Sequence, residues 1–389
     1  MALDFPNSPT LNQQYTHPTT GIIWVWDGAK WVSGTGATAY APIASPVFTG
    51  NPQAPNPPAG DADTSVATTS FVSAAVGTTQ GNVGRNLIHN SMFNVQQRGA
   101  GPWTTSVYTA DRWRAGTVLD TVSFVVAPFN DEARAMIGDE TAAQFLSNTF
   151  TGNAGASAQN YIDQCIEGVR RLSGKTVTVS LWVASSSPSL KLGANIYMHT
   201  GSGGSPTGAV WASATGVALP TTASYVRVSF TMTLPSLSGA VLGSNRDDSV
   251  ILRLHYSSGA TNNAVTGNIG VQSGTINIWG VQLEIGSVAT PLEKPDPQVE
   301  LANCQRFYAT FAVITLCPVA TSINGHAAYV AHPVTMHHTP TYVSQHVAGN
   351  VSLGITYNYQ STVGVWTSMA GTPVAGNYEV LSVTASADL

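Results

Sequence analysis

Five of the chain's nine histidines fall between His326 and His346: His326, His332, His337, His338 and His346. Neutral imidazoles bind metal ions, but no spacing here matches a protein metal motif, so the expectation is no metal site. Adjacent in a strand, His337 and His338 would point to opposite faces. A polar, receptor-facing surface and ordinary strand or loop histidines both remain open. Further on, Tyr357, Tyr359 and Trp366 stand among Asn358, Gln360 and Ser361. Flat aromatics beside amides and hydroxyls suit a pyranose, which has an apolar face and a hydroxyl rim; core filling is the alternative. Trp103 and Trp211, in Gly/Ser/Thr-rich segments, make the same offer to a sugar, whereas Trp113 in YTADRW reads as core.

Catalysis would need convergent carboxylates, a nucleophile with its base, or a metal set. Besides Asp61 and Asp63, the close acidic pairs are Asp131-Glu132, Asp139-Glu140 and Asp247-Asp248, and adjacent side chains rarely converge on one bond. No GxSxG or P-loop pattern occurs. The expectation is therefore no catalytic residue, no cofactor and no enzymatic activity. A glycosidase pair built from distant strands stays open, as does a calcium-binding loop at Asp247 and Asp248. Cys165, Cys304 and Cys317 lack CxxC or Cys/His spacing and read as buried thiols.

The elements that must position these residues are mostly strands. Charged residues make up only 9% of the 389-residue chain, against about 25% in ordinary globular proteins, while hydrophobic residues reach 43%. Real cores are affordable, and the polar surface must be mainly Ser, Thr, Asn and Gly. With 37 Gly and 22 Pro, turns are frequent. A net charge of −5 and no Lys/Arg cluster argue against nucleic acid. The start MALDFPNSPT has no basic or apolar leader region, and no run approaches 18 apolar residues. The expectation is synthesis in a cytosol without the usual export signal, and no membrane insertion.

Residues 22–33, IIWVWDGAKWVS, predict a hairpin turning at Asp27-Gly28, with Trp24 facing Trp31 and Trp26 on the same side. That aromatic face either packs on neighbouring residues or docks onto a larger assembly. Residues 41–83 begin with a proline-rich spacer, after which Asp61 or Asp63 starts a short helix using Val66, Phe71 and Val72. Alternating runs at 123–127, 176–184, 226–234, 249–256 and 275–285 predict a jelly-roll within 84–293. Within 294–308, PDPQVELANCQRFY predicts a helix capped by Asp296, with Pro297 at its first position and Leu301, Cys304 and Tyr308 in one stripe. Short β runs then fill 309–389, enough for a second, smaller sandwich.

Several stretches together resemble the distal half of bacteriophage tail fibre proteins: NLIHNSMFNVQQRG (86–99), YTADRW (108–113), LSGKTVTVSLWVAS (172–185), WGVQLEIGSVATPLE (279–293) and ELANCQRFY (300–308). SPVFTGNPQAPNPPAGDADTSVATTSFV (45–72) is similar to a repeat of phage fibre shafts, and FPNSPTLNQQYT with WVWDGAKWV resembles N-terminal segments of virion proteins. MHHTPTYVSQ (336–345) and TASADL (384–389) resemble the family's fibre tip, with His337 and His338 where that family often has a basic residue after the methionine.

The resemblance implies a mainly β, elongated, multi-domain homotrimeric fibre, assembled in the bacterial host cytoplasm and carried on the virion. Residues 1–40 would attach to tail, baseplate or neck proteins through Trp24, Trp26 and Trp31. Residues 41–83 would form a neck. A jelly-roll similar to carbohydrate-binding modules and a C-terminal tip would then recognise host surface polysaccharide. Under this resemblance, three copies of the 294–308 helix would pack around a threefold axis through Leu301, Cys304 and Tyr308; the rival is a helix packed on its own jelly-roll. The alternative functions are a polysaccharide depolymerase and a purely structural neck or head-decoration fibre.

Overall fold

The computed structural model describes residues 4–33, 50–58, 63–64, 66–72, 84–211, 216–316, 326–349, 354–358, 360–370 and 378–388. Among these the chain is mainly β and divides into two compact units, Met1–Gln80 and Gly81–Leu389. No helix among the described residues is long and apolar enough to cross a membrane.

In the first unit, β1 (Gln14–Thr16), β2 (Ile23–Trp26) and β3 (Trp31–Ser33) form an antiparallel sheet in that order. The expected two-residue turn is instead a four-residue loop. Trp26 lies opposite Trp31, and Trp24 lies opposite Ser33. The cause is the Asp27 side chain, whose Oδ1 accepts from the N–H groups of Ala29 and Lys30 at 2.9 and 2.8 Å and holds the longer loop closed. The three tryptophans still share a face. Phe5 covers part of it, stacking on Trp31 at 5.2 Å and meeting Trp24 edge-on at 5.3 Å. Further along, residues 69–72 are helical, with the Thr68 hydroxyl accepting from Phe71 N–H at 3.1 Å at the start of the turn; Asp61 lies outside the described residues.

The second unit is dominated by a jelly-roll-like sandwich. Its strands are β4 (Arg114–Val118), β5 (Thr121–Pro128), β6 (Gln144–Thr151), β7 (Gln159–Glu167), β8 (Thr176–Ser185) and β9 (Lys191–His199). They continue with β10 (Val210–Trp211), β11 (Val217–Pro220), β12 (Val226–Thr233), β13 (Ser249–Ser258) and β14 (Ser273–Ile285). One sheet runs β10-β9-β13-β7-β4, with β11 also on β9; the other runs β12-β8-β14-β6-β5. A short helix, α1 (Asp131–Ile137), follows β5. Val177, Val179, Leu181 and Val183 of β8 point into the core as their alternation predicts, opposite Leu252 and Leu254 of the other sheet. Phe124 and Phe150 from one sheet meet Tyr256 from the other at 5.6 and 5.9 Å. Trp113 is wholly buried, and its indole N–H donates to the Asn90 carbonyl at 3.0 Å.

Helix α2 (Pro297–Gln305) forms as its sequence predicts, with Asp296 accepting from the N–H groups of Gln298 and Val299 at 2.8 and 3.4 Å. The C-terminal strands follow: β15 (Tyr308–Leu316), β16 (His326–Ala331), β17 (Thr341–Gly349), β18 (Gly354–Asn358), β19 (Gly364–Ala370) and β20 (Tyr378–Ser386). They build two three-stranded sheets, β15-β20-β17 and β16-β19-β18. Phe311, Tyr342 and Val383 from the first pack with Val330 and Tyr357 from the second.

Candidate functional site

Antiparallel register assembles a patterned outer face on the six-stranded sheet. One row runs Arg114, Asp163, Arg253, Asn195; the next runs Gly116, Tyr161, His255, Gly193; a third runs Cys165, Ile251, Tyr197, Trp211. Side chains alternate along a strand, so the residues between these rows face the core, and Ile162, Leu252, Leu254, Ala194 and Ile196 are fully buried there.

The first row is electrostatically organised. Asp163 is completely buried, and both of its oxygens are engaged by forked guanidiniums. Arg114 donates from Nε and Nη2 at 3.0 and 3.1 Å, and Arg253 from the same two atoms at 3.1 and 2.8 Å. Arg253 is also held against the Tyr161 ring, 3.9 Å from its centroid.

Two glycines shape the second row. A Cβ on Gly116 would lie 2.1 Å from Tyr161 Cζ, so the absent side chain is what lets the tyrosine ring lie across β4. A Cβ on Gly193 would meet the Thr266 carbonyl at 2.4 Å, so this glycine admits the Ala260–Thr266 turn against β9. That turn is tied down by Asn195 Nδ2 donating to the Val265 carbonyl at 2.6 Å. Beside it, His255 is almost wholly buried, and burial together with Arg253 depresses its pKa to about 3, leaving a neutral imidazole. Both of its ring nitrogens, and Asn195 Oδ1, lack protein partners among the described residues.

In the third row, Tyr197 and Trp211 meet with ring centroids 4.5 Å apart. Tyr161, Tyr197, Trp211 and Arg253 are all half-buried. The face therefore presents flat aromatics and guanidinium N–H donors, with Asn195 buried beneath the Ala260–Thr266 turn. That combination can stack on the apolar face of a sugar ring and donate to its oxygens.

Trp211 is the sequence-selected residue that belongs to this face; the others lie elsewhere. Trp103 is half-buried against the sandwich core, with its backbone bridged to Phe124, and is not an exposed loop aromatic. Tyr357 is half-buried and packs in the small C-terminal core, 5.1 Å from Tyr342. Tyr359 and the side chain of Trp366 lie outside the described residues, as do Cys317 and the side chains of His326 and His346. His332 is buried between Tyr342 OH at 2.7 Å and the Thr362 carbonyl at 3.0 Å. Asp247 turns to Ser202 and Asp248 to the Val169 N–H, so the pair does not converge on one cation.

His337 and His338 occupy a bend rather than a strand, and their rings touch at 5.4 Å instead of pointing apart. His337 is an internal partner. Its Nε2 lies 3.0 Å from Glu167, and its ring stacks on Phe307 at 5.2 Å. Arg306 donates to the same carboxylate from Nη1 and Nη2 at 2.8 and 2.9 Å. Burial opposes ionisation of Glu167, but the hydrogen bonds from His337 and Arg306 outweigh it and hold the carboxyl at about 2.

Nearby, the Arg112 guanidinium lies 3.3 Å from the Phe307 ring centroid, Arg98 pairs with Asp388, and Gln97 donates to the Tyr308 carbonyl at 2.7 Å. The segments 86–99, 108–113, 300–308, 336–345 and 384–388 thus meet at one junction between the sandwich and the C-terminal sheets. Helix α2 packs on its own sandwich here. Cys304 is enclosed by its own chain and cannot also face a threefold axis, while Leu301 is 38% exposed and Tyr308 lies beneath Arg98. Cavities of about 410 and 340 Å³ border α2, away from the patterned face; both reach Glu300, whose pKa is raised by burial.

No protein-family model and no curated protein sequence matches the chain. Among solved structures, it is similar to the enzymatically active domain of bacteriophage CBA120 tailspike protein 4, at 12% identity over 52% of this chain and 21% of that one, with a TM-score of 0.30. It is also similar to the CBM22-1 xylan-binding domain of Paenibacillus barcinonensis Xyn10C, at 13% identity over 52% and 96% of the two chains, TM-score 0.28. The N-terminal cellulose-binding domain of Cellulomonas fimi β-1,4-glucanase C gives 14% identity, 49% and 98% coverage, and a TM-score of 0.27. Similarity at this level does not extend to function.

Proposed function

We propose that this chain is a phage tail fibre protein that recognises host surface glycan through the outer face of its six-stranded sheet. The observation that carries the reading is the half-buried aromatic set Tyr161, Tyr197 and Trp211 on a rigid strand scaffold, beside Arg253. Aromatic rings held on strands offer flat contact area at little entropic expense. The phage assignment draws on the ordered segments that resemble tail fibres. In this reading the fibre is a homotrimer, with Trp24, Trp26 and Trp31 in the virion-attaching segment. Three weak sites per fibre then act through avidity.

The reading is of binding without hydrolysis. Of the carboxylates on this face, Asp163 is fully buried with both oxygens occupied by arginines and Glu167 is tied to Arg306 and His337, so neither is free to protonate a leaving group. Affinity electrophoresis through gels containing host surface polysaccharides tests the proposal. The full chain should be retarded, and Tyr197→Ala with Trp211→Ala should abolish the retardation while the sugar keeps its chain length. Retardation untouched by that double variant would remove the face from the account, and shortening of the sugar would restore the depolymerase reading.

A further inference from the structure

We infer that the glycan received by this face is anionic, carrying a carboxylate that the Arg114–Arg253 pair binds. The inference rests on the proposed glycan-binding role and specifies its substrate class.

The argument begins with charge. Two guanidiniums share one carboxylate, so the row Arg114, Asp163, Arg253 carries one uncompensated positive charge. Neutral His255 adds nothing to it, and Glu167 on the same sheet is committed to Arg306 and His337. The chain as a whole is acidic at −5, so a local cationic centre on this face runs against the general charge.

Geometry then fixes what the charge can do. Each arginine spends its Nε and Nη2 atoms on Asp163. Its other edge, Nη1 and the second Nη2 hydrogen, has no partner among the described residues. A guanidinium presents five N–H donors in a planar fork, and an unoccupied edge matches a carboxylate in two parallel hydrogen bonds. The Arg253 and Arg114 side chains are 17% and 36% exposed, so these edges are reachable, while Asp163 and the Tyr161 ring prevent Arg253 from swinging away. Low residual motion means little entropy is lost on binding. Along β9, Asn195 in the arginine row and Tyr197 in the aromatic row are two residues apart, roughly 7 Å at about 3.4 Å per residue. Arg253 is the register partner of Asn195 on the adjacent strand, about 4.8 Å across, so Tyr197 and Arg253 stand on a diagonal of roughly 8 Å, and a pyranose on Tyr197 and Trp211 can point its carboxylate toward the Arg253 end of the pair.

The test uses an array of bacterial polysaccharides in which each acidic glycan is printed beside its carboxyl-reduced form, with dextran sulfate as a non-specific polyanion, probed with the full chain. The expected result is that the strongest binders are acidic and lose at least tenfold in apparent affinity on carboxyl reduction. Arg253→Lys, which keeps the charge but loses the fork, should lose most of that preference, and Arg253→Gln should remove it entirely. Binding indifferent to carboxyl reduction would overturn the inference and leave the glycan-binding role intact. Binding to dextran sulfate as tight as to the best acidic glycan would overturn it in favour of simple polyanion attraction. Retention of no glycan by the unmodified chain would remove both. Because the unmodified chain reports on carboxyl reduction directly, misfolding of a variant leaves the test decisive.

Discussion

Replacing Glu167 with Gln should weaken the seam between the sandwich and the C-terminal sheets in a manner that depends on pH. The carboxyl is held at about 2 against an ordinary value of 4.5. At about 1.36 kcal/mol per pKa unit this difference corresponds to roughly 3 kcal/mol. Side-chain exposures of 31% for Glu167 and 38% for Arg306 admit solvent screening, which brings the expectation to about 1–2 kcal/mol. Because the folded-state pKa is depressed, this stabilisation is fully present above about 4.5 and is lost as pH falls towards 2. Thermal unfolding of the unmodified and Glu167→Gln proteins between pH 7 and 2.5 measures it, since acid effects common to both cancel in the difference. The variant should melt lower at pH 7, and the gap should close progressively below pH 4.5. A gap that is absent at pH 7, or that stays constant down to pH 2.5, would refute the argument that the Arg306 and His337 contacts stabilise the ionised carboxylate.

Gly116→Ala places a methyl where the Tyr161 ring now lies, and a ring cannot yield as a flexible chain would. Glycan retardation should fall at least tenfold with the circular dichroism spectrum unchanged; unaltered retardation would mean that Tyr161 does not need its present position. Asp296→Ala removes the cap of α2 and should cost about 1 kcal/mol in denaturant titration, with Asp296→Asn nearly neutral.

Much of the sandwich was legible because its strands obey a period of two. The runs in β8 and β12 alternate cleanly, and the structure buries the residues that the alternation selects, whereas in β14 a bulge between Trp279 and Gln282 shifts the alternation. The capped helix was equally plain, since Asp296 and Pro297 act locally. The strands that build the candidate site were not. In β7 the inward positions include Asn160 and Gln164, and Gln164 is buried by exchanging 2.8 Å hydrogen bonds with the backbone of His89, a partner 75 positions away. Polar residues on both faces erase the alternation. β9 has the opposite difficulty: its outward residues include Gly193 and Tyr197, which read as neither surface nor core.

The site itself is a product of register. Trp211 could be singled out by type, but its pairing with Tyr197, and the alignment of Arg114, Asp163 and Arg253, join five strands spread over about a third of the chain. The placement of Tyr357 depends on packing for a related reason. Tyr357 has the same composition of neighbours in sequence as a sugar-binding residue, and only the packing of two small sheets places it inside. His337 looked like a surface residue until the fold brought Glu167 to it.

The most direct test of the central claim is a hydrogen–deuterium exchange footprint of the full chain with and without a host polysaccharide that retards it. The account predicts protection concentrated in Gln159–Glu167, Lys191–His199, Val210–Trp211 and Ser249–Ser258, the strands of the patterned face. Protection confined to residues 326–388, with those four strands unchanged, would contradict it and move recognition to the C-terminal sheets.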